Sequence, residues 1–296
     1  MATVVHRTCN AVTEDNDART DVKYETPVKN GAQLLSLPDV PLYLQFNRYI
    51  FTGYRPQMSW YECLKSLFYW HNETLNILTH GIPLVFLVLS IPAMLPWHQI
   101  TIPVLPYTHV LATISPWLGS FIYHVFMNHH KGENLYYCLL RLDMFGIWVT
   151  QSLGALTTVS ASTFCLGAFL RYCILASYTF LSAIALYKAL VAADPWQRRL
   201  SFTLQFCFRI VLFCIRLSPF GGGDPASIAH VFLQDFLSVI GGAIGATQVP
   251  ERWLPGRVDS VGNSHHIMHV LVVIAIVHMH IAARNDLLWM SSNYCT

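Results

Sequence analysis

Charge is what this chain has least of. Only 11% of its 296 residues are Asp, Glu, Lys or Arg, less than half of the roughly 25% of an ordinary soluble domain. A chain so poor in charge cannot coat itself with solvated side chains, which points to a membrane protein. An excess of one sign is missing as well. Against 16 Asp and Glu stand 18 Lys and Arg, and that balance excludes a nucleic-acid binder built on a basic stripe. The 54% of hydrophobic residues excludes disorder over the whole length. Eight cysteines in a chain this long make no small disulfide scaffold. Cys138, Cys165, Cys173, Cys207 and Cys214 fall in apolar stretches, where they read as small buried hydrophobes with no disulfide expected from their spacing. The first forty residues also lack the charged, apolar and cleavage-site regions of a secretory leader. They are mixed polar residues without periodicity, so residues 1–40 are expected to be a disordered tail with no cleaved signal.

What is present is apolar and recurs. Residues 41–73 mix aromatic side chains (Tyr43, Phe46, Tyr49, Phe51, Trp60, Phe68) with scattered basic ones. That pattern predicts short amphipathic helices at headgroup depth; packing beneath the bundle is the alternative. Windows of spanning length then occur near 75–95, 104–127, 135–157, 164–187, 200–220, 227–249 and 265–290. Each is close to the ~20 residues that a helix needs to cross ~30 Å of hydrocarbon. The fold class predicted is therefore all-α, a seven-helix transmembrane bundle over 74–290 followed by a short tail at 291–296. Arg209, Arg216 and Asp235 interrupt the fifth and sixth windows; a charge at such depth costs at least ~2.5 kcal/mol unless it faces a partner. Arg209 with Asp235 is the expected pair. Pro83, Pro92, Pro106 and Pro116 are expected to bend the first two helices and to free carbonyls that must be satisfied inside the bundle.

Orientation follows from the basic residues of the connections. With the N-terminus in the cytosol, the inner side holds Arg55, Lys65, Lys131, Lys188, Arg198, Arg199, Arg252 and Arg257, whereas the outer connections at 96–103, 158–163 and 221–226 hold no Lys or Arg. The C-terminus is then extracellular or lumenal. The sequon Asn72-Glu73-Thr74 falls on the cytosolic side and should be unglycosylated.

That topology brings polar residues of distant segments to one depth. Ser120 and His124 lie near the inner end of the second helix, Asp143 eight residues into the third, and His265, His266 and His269 at the start of the seventh. His265 and His269, at i, i+4, project from one face about 6 Å apart along the axis; His266 and His269, at i, i+3, also share a side, so spacing leaves the choice open. Unsatisfied polar groups in a dry interior cost a few kcal/mol, and a metal ion supplies a reason for them. Three neutral imidazoles leave an open tetrahedral position for water, as in catalytic zinc sites. Asp143 would orient that water or take its proton, and Ser120 would hydrogen-bond the water or a substrate oxygen. The plain alternative is a set of histidines that only bond neighbouring helices. His278 and His280, two to three turns further along, read as packing or relay groups.

These residues resemble a known family. Ser120-Phe-Ile-Tyr-His124, Asp143 and Ser264-His265-His-Ile-Met-His269 are similar to the S-x-x-x-H, D and H-x-x-x-H pattern of the progestin and adipoQ receptor family. His71-Asn-Glu-Thr-Leu-Asn-Ile-Leu-Thr-His80, Pro250-Glu-Arg-Trp-Leu-Pro-Gly-Arg-Val-Asp259 and Leu44-Gln-Phe-Asn-Arg-Tyr-Ile-Phe-Thr-Gly-Tyr-Arg-Pro56 agree with it, and the resemblance runs from residue 42 to about 290. It implies a receptor-like membrane protein with a cytosolic N-terminus. By analogy it also implies a Zn2+ ion held by His124, His265 and His269, with Asp143 reaching the metal through water. The family is grouped with the alkaline ceramidases, which implies a zinc-dependent amidohydrolase or lipid sensor acting on ceramide-like lipids, with a fatty acid as product. The rival expectation is a receptor or adaptor whose zinc is structural and whose cytosolic partners bind the N-terminal region. Resemblance within the family implies the Golgi membrane, with the plasma membrane as the other candidate.

Overall fold

The computed structural model describes residues 33–292. Among them the chain is almost wholly helical. A short helix α1 (Trp60–Lys65) opens the series, and seven long helical segments follow. They are α2 (Thr74–Met94), α3 (Leu105–Phe126), α4 (Glu133–Val149) continuing through a π-helical turn (Thr150–Gly154) into α5 (Ala155–Ser162), then α6 (Ala168–Val191), the short α7 (Pro195–Leu200) leading into α8 (Thr203–Leu217), α9 (Ile228–Thr247) and α10 (Ser264–Ser292). Five of the seven, α2, α6, α7 with α8, α9 and α10, are long and apolar enough to cross a membrane. The other two, α3 and the rod from α4 to α5, complete the expected bundle of seven. The outer surfaces of the spanning helices are apolar: Phe86 and Leu89 on α2, Phe180 on α6 and Phe232 on α9 all stand exposed, as lipid-facing side chains do.

The prolines divide by position. Pro106 occupies the first turn of α3 and, against expectation, does not bend it, because an N–H is not needed there. Pro116 lies inside α3 and frees the Ala112 carbonyl, which the Thr150 hydroxyl takes up at 2.7 Å. Thr150 opens the π-helical turn, which carries the third crossing on to Ser162, past the expected end at 157. The same turn presents the Gln151 carbonyl to donors from two other helices, the Tyr178 hydroxyl, Gln205 Nε2 at 3.1 Å and Arg209 at 3.3 Å. Arg209 also forms the expected pair with Asp235, at 2.9 and 3.4 Å.

Residues 33–40, which the sequence reading assigns to the tail, make specific contacts. Leu35 and Tyr54 exchange backbone hydrogen bonds of 2.7 and 3.1 Å. Val40, Leu44, Ile50 and Tyr54 bury themselves against Tyr123 and Met127 of the α3 end and Tyr136 and Leu139 of α4. Residues 33–58 thus form a cap over one end of the bundle. The rest of the expected tail lies outside the described residues. The cysteines also depart from expectation: Cys173, Cys207 and Cys214 are free and exposed, whereas Cys138 and Cys165 are disulfide-bonded.

Asn72 of the sequon is 5% exposed, held where the cap meets α2, and its backbone N–H bonds the Gly53 carbonyl. A glycan cannot be accommodated there, so glycosidase treatment of protein from a eukaryotic host should leave its electrophoretic mobility unchanged.

Candidate metal centre

The cap end of the bundle is where α2 and α10 begin and α3 ends. His124, one turn after Ser120, lies in the last turn of α3, and His265 and His269 lie in the first two turns of α10. One ring nitrogen from each of the three histidines falls within 4.8 Å of the others, a set able to hold a metal ion. His124 Nε2 and His265 Nε2 are 3.3 Å apart. Two imidazole nitrogens at zinc distances of about 2.0–2.1 Å on a tetrahedral ion would stand roughly 3.3–3.4 Å apart, so this pair fits.

Groups behind the imidazoles turn the right nitrogens inward. Glu73 Oε2 meets His124 Nδ1 at 2.7 Å and accepts from Asn76 Nδ2 at 2.7 Å. The Thr79 hydroxyl donates to the Leu75 carbonyl at 2.6 Å, so its oxygen is left to accept from His269 Nδ1 at 3.0 Å. Both rings are thereby assigned the tautomer with a proton on Nδ1 and a free lone pair on Nε2, the arrangement a metal requires. His80 stacks flat on His269, ring centres 3.8 Å apart, and neither of its buried nitrogens has a partner among the described residues. Arg55, 1% exposed, binds the His124 and Val125 carbonyls and so caps the end of α3 that carries His124. Burial pushes the His71 imidazole down to about 4, with Arg55 adding to the effect. The neutral ring accepts from the Glu73 N–H at Nδ1, which leaves Nε2 to donate to the Ser66 carbonyl. The backbone beside Glu73 is anchored in this way.

Asp143 reaches this end through a close helix crossing. A Cβ on Gly119 would stand 2.9 Å from the Leu142 carbonyl oxygen and 3.2 Å from Asp143 Cα. Only a glycine lets α4 come this near the turn of α3 that holds Ser120. Asp143 lies within electrostatic reach of His124 and makes no hydrogen bond or ion pair among the described residues. Ser120 Oγ is buried and likewise unpartnered. His266, the alternative that spacing left open, stays outside the trio, with both ring nitrogens buried and without a hydrogen-bond partner among the described residues. His278 and His280 lie further along α10, bonded to His230 at 2.8 Å and His109 at 3.0 Å.

Sequence reasoning missed Glu73, Thr79 and Arg55. Their signal was a carboxylate placed immediately before an apolar window, a hydroxyl two turns later and an Arg among the basic residues of the aromatic segment.

The haemolysin-III-related family model matches residues 68–280. The human protein "Progestin and adipoQ receptor family member 4" is 40% identical over 266 residues, covering 90% of this chain and 97% of its own length. "Heptahelical transmembrane protein 1" of Arabidopsis thaliana is 28% identical over 280 residues, 89% of this chain and 84% of its own. The Drosophila melanogaster "Adiponectin receptor protein" is 28% identical over 274 residues, 82% of this chain and 57% of its own. With its helical bundle and a match over most of its length, the chain belongs to the haemolysin-III-related, progestin and adipoQ receptor family of membrane proteins.

Proposed function

We propose that this receptor-like membrane protein is a zinc-dependent hydrolase, or a lipid sensor derived from one, acting on ceramide-like lipid amides. The carrying observation is the convergence at one depth of three imidazoles with two polar side chains, Ser120 and Asp143, that have no partner among the described residues. His124, His265 and His269 would hold the ion. Zinc bound there supplies Lewis acidity to a water molecule and to the substrate carbonyl.

The chain's own groups do the rest. Glu73 and Thr79 hold the imidazoles in register through their Nδ1 atoms. The Asp143 carboxylate takes a proton from the attacking water and returns it to the leaving amine nitrogen. Ser120 Oγ–H donates to the carbonyl oxygen as charge develops there. A lipid amide enters sideways between helices, and the products are a sphingoid base and a fatty acid.

The test is made on purified protein. One zinc per chain is expected, together with fatty-acid release from ceramide; His124→Ala should abolish both. Glu73→Gln should weaken zinc binding by about 10–100-fold, since it removes the carboxylate behind a ligand. Turnover of the zinc-loaded protein that His124→Ala does not lower would defeat the enzyme reading.

The names of relatives, "Membrane progestin receptor alpha" and "Adiponectin receptor protein" among them, favour a second reading. In it zinc ties α3 to α10 structurally, and signalling passes to cytosolic partners at the cap.

We also place the cap in the cytosol and the protein in the Golgi, on the basic residues of the cap-side connections and the relationship to the fourth family member. Protease added to sealed Golgi vesicles should then cut the cap-side connections and spare those of the opposite end. The reverse pattern would refute this orientation.

A further inference from the structure

Hydrolysing an amide consumes one water per turnover: its oxygen ends in the acid, and its hydrogens are shared between acid and amine. A lipid can slide in between helices, but water does not cross their apolar walls readily. His124 and His269 are each only 1% exposed, so water needs a route to them. At the cap end a cavity of about 20 Å³ adjoins the centre, room for about one water. Its polar walls are Asn47, Asn72, Glu73, Asn76, Asn263 and His265, and His265 belongs to the histidine trio. Asn76 Oδ1 is buried without a partner among the described residues, an acceptor that a water would satisfy. Besides Asn47, the cap contributes the apolar side of the same cavity with Ile50 and Tyr54.

The cap is held in two different ways. One side packs apolar residues on the ends of α3 and α4. The other is fastened to the α9–α10 connection by hydrogen bonds to two carboxylates. Asn47 Nδ2 donates to Glu251 Oε1 at 3.0 Å. The backbone N–H groups of Phe51 and Thr52 and the Thr52 hydroxyl all donate to Asp259 Oδ2, at 3.1, 2.8 and 2.8 Å. Glu251 is fully buried and also accepts from the Ser264 N–H at 2.7 Å and from the Ser264 hydroxyl, at the first turn of α10 beside His265. The fastening on Glu251 is thereby joined to the backbone of the centre itself.

We propose that residues 33–58 are a lid controlling water access to the histidine centre, hinged on the α3 and α4 ends and latched by Glu251 and Asp259, a reading that rests on the hydrolytic assignment of that centre. On the hinge side Arg55 adds its bonds to the His124 and Val125 carbonyls to the apolar packing, so the latch can release while the hinge holds. The conjunction also gives a role to segment Pro250–Asp259 and to the residues of Leu44–Pro56 other than Arg55, which the metal centre leaves unused.

The experiment uses the full chain, zinc-loaded and embedded in lipid nanodiscs, so that lipid shields the sides of the bundle. EDTA is added, and the zinc retained is followed by elemental analysis. Asn47→Ala and Thr52→Val, each removing one latch bond to a carboxylate, should speed zinc loss about tenfold or more, and the double variant further. Hydrogen exchange should quicken in residues 33–58 while α2 and α3 keep their protection. Variants that shed zinc at the wild-type rate would overturn the lid, as would faster loss accompanied by lost protection throughout α2 and α3. Wild-type protein that binds no zinc would remove the hydrolytic reading and the lid with it.

Discussion

Asp143→Asn should leave the zinc content of the purified protein nearly intact and lower ceramide turnover by at least ~100-fold. The asparagine keeps the shape of the carboxylate, and residue 143 is outside the set of three histidines able to hold the ion. What it loses is the ability to take a proton, which a positioned general base turns into about 100–10,000-fold in rate. Elemental analysis and fatty-acid release, measured on one preparation, check both halves. The same variant separates the two classes of function. A protein whose zinc only ties α3 to α10 should show neither a change in zinc nor a change in signalling. Zinc loss in Asp143→Asn would place the carboxylate in the coordination sphere and remove it as the base.

Asp286→Ala should be the most destabilising single change away from the histidine centre, by about 3–5 kcal/mol. Arg216 on α8 meets Asp286 on α10 through two bonds, 2.8 and 2.6 Å, with side chains 1% and 0% exposed. The same carboxylate accepts from the Asp224 N–H at 3.0 Å, and Arg216 donates to the Asp224 carbonyl at 2.8 Å. Removing the carboxylate strands a guanidinium in a closed interior, which costs far more than the pair contributes when intact. Thermal unfolding in detergent should show the loss. The double change Arg216→Leu with Asp286→Leu should recover much of it, because two apolar side chains leave no charge unpaired. A loss below about 1 kcal/mol in Asp286→Ala would mean the pair is solvated, as exposed pairs are.

The two ion pairs differ in how visible they were beforehand. Arg209 and Asp235 interrupt neighbouring apolar windows, and opposite charges on adjacent crossings invite pairing. Arg216 shares the first window, but its partner lies 70 residues on, in a window that carries seven other polar side chains. The centre divides in the same way. The spacing of Ser120 with His124, and of His265 with His269, is helical and could be read directly. His265 and His266 could not be separated by spacing, because both share a side with His269; the approach of His124 Nε2 to His265 Nε2 distinguishes them. Glu73, Thr79 and Arg55 act on the imidazoles through single side-chain bonds across helices, for which a linear pattern carries no period.

Composition and the lengths of the apolar windows determined that this chain forms seven helices in a membrane, since a backbone in hydrocarbon must satisfy its own hydrogen bonds and a helix does so within one segment. They also determined which depth the histidines share. Tertiary structure alone decided how α10 is rotated, how near Gly119 lets α4 approach α3, and that the cap is latched over the centre by Glu251 and Asp259. Each of these depends on the meeting of side chains far apart in the chain, and burial energy acts on that meeting only once the helices have packed.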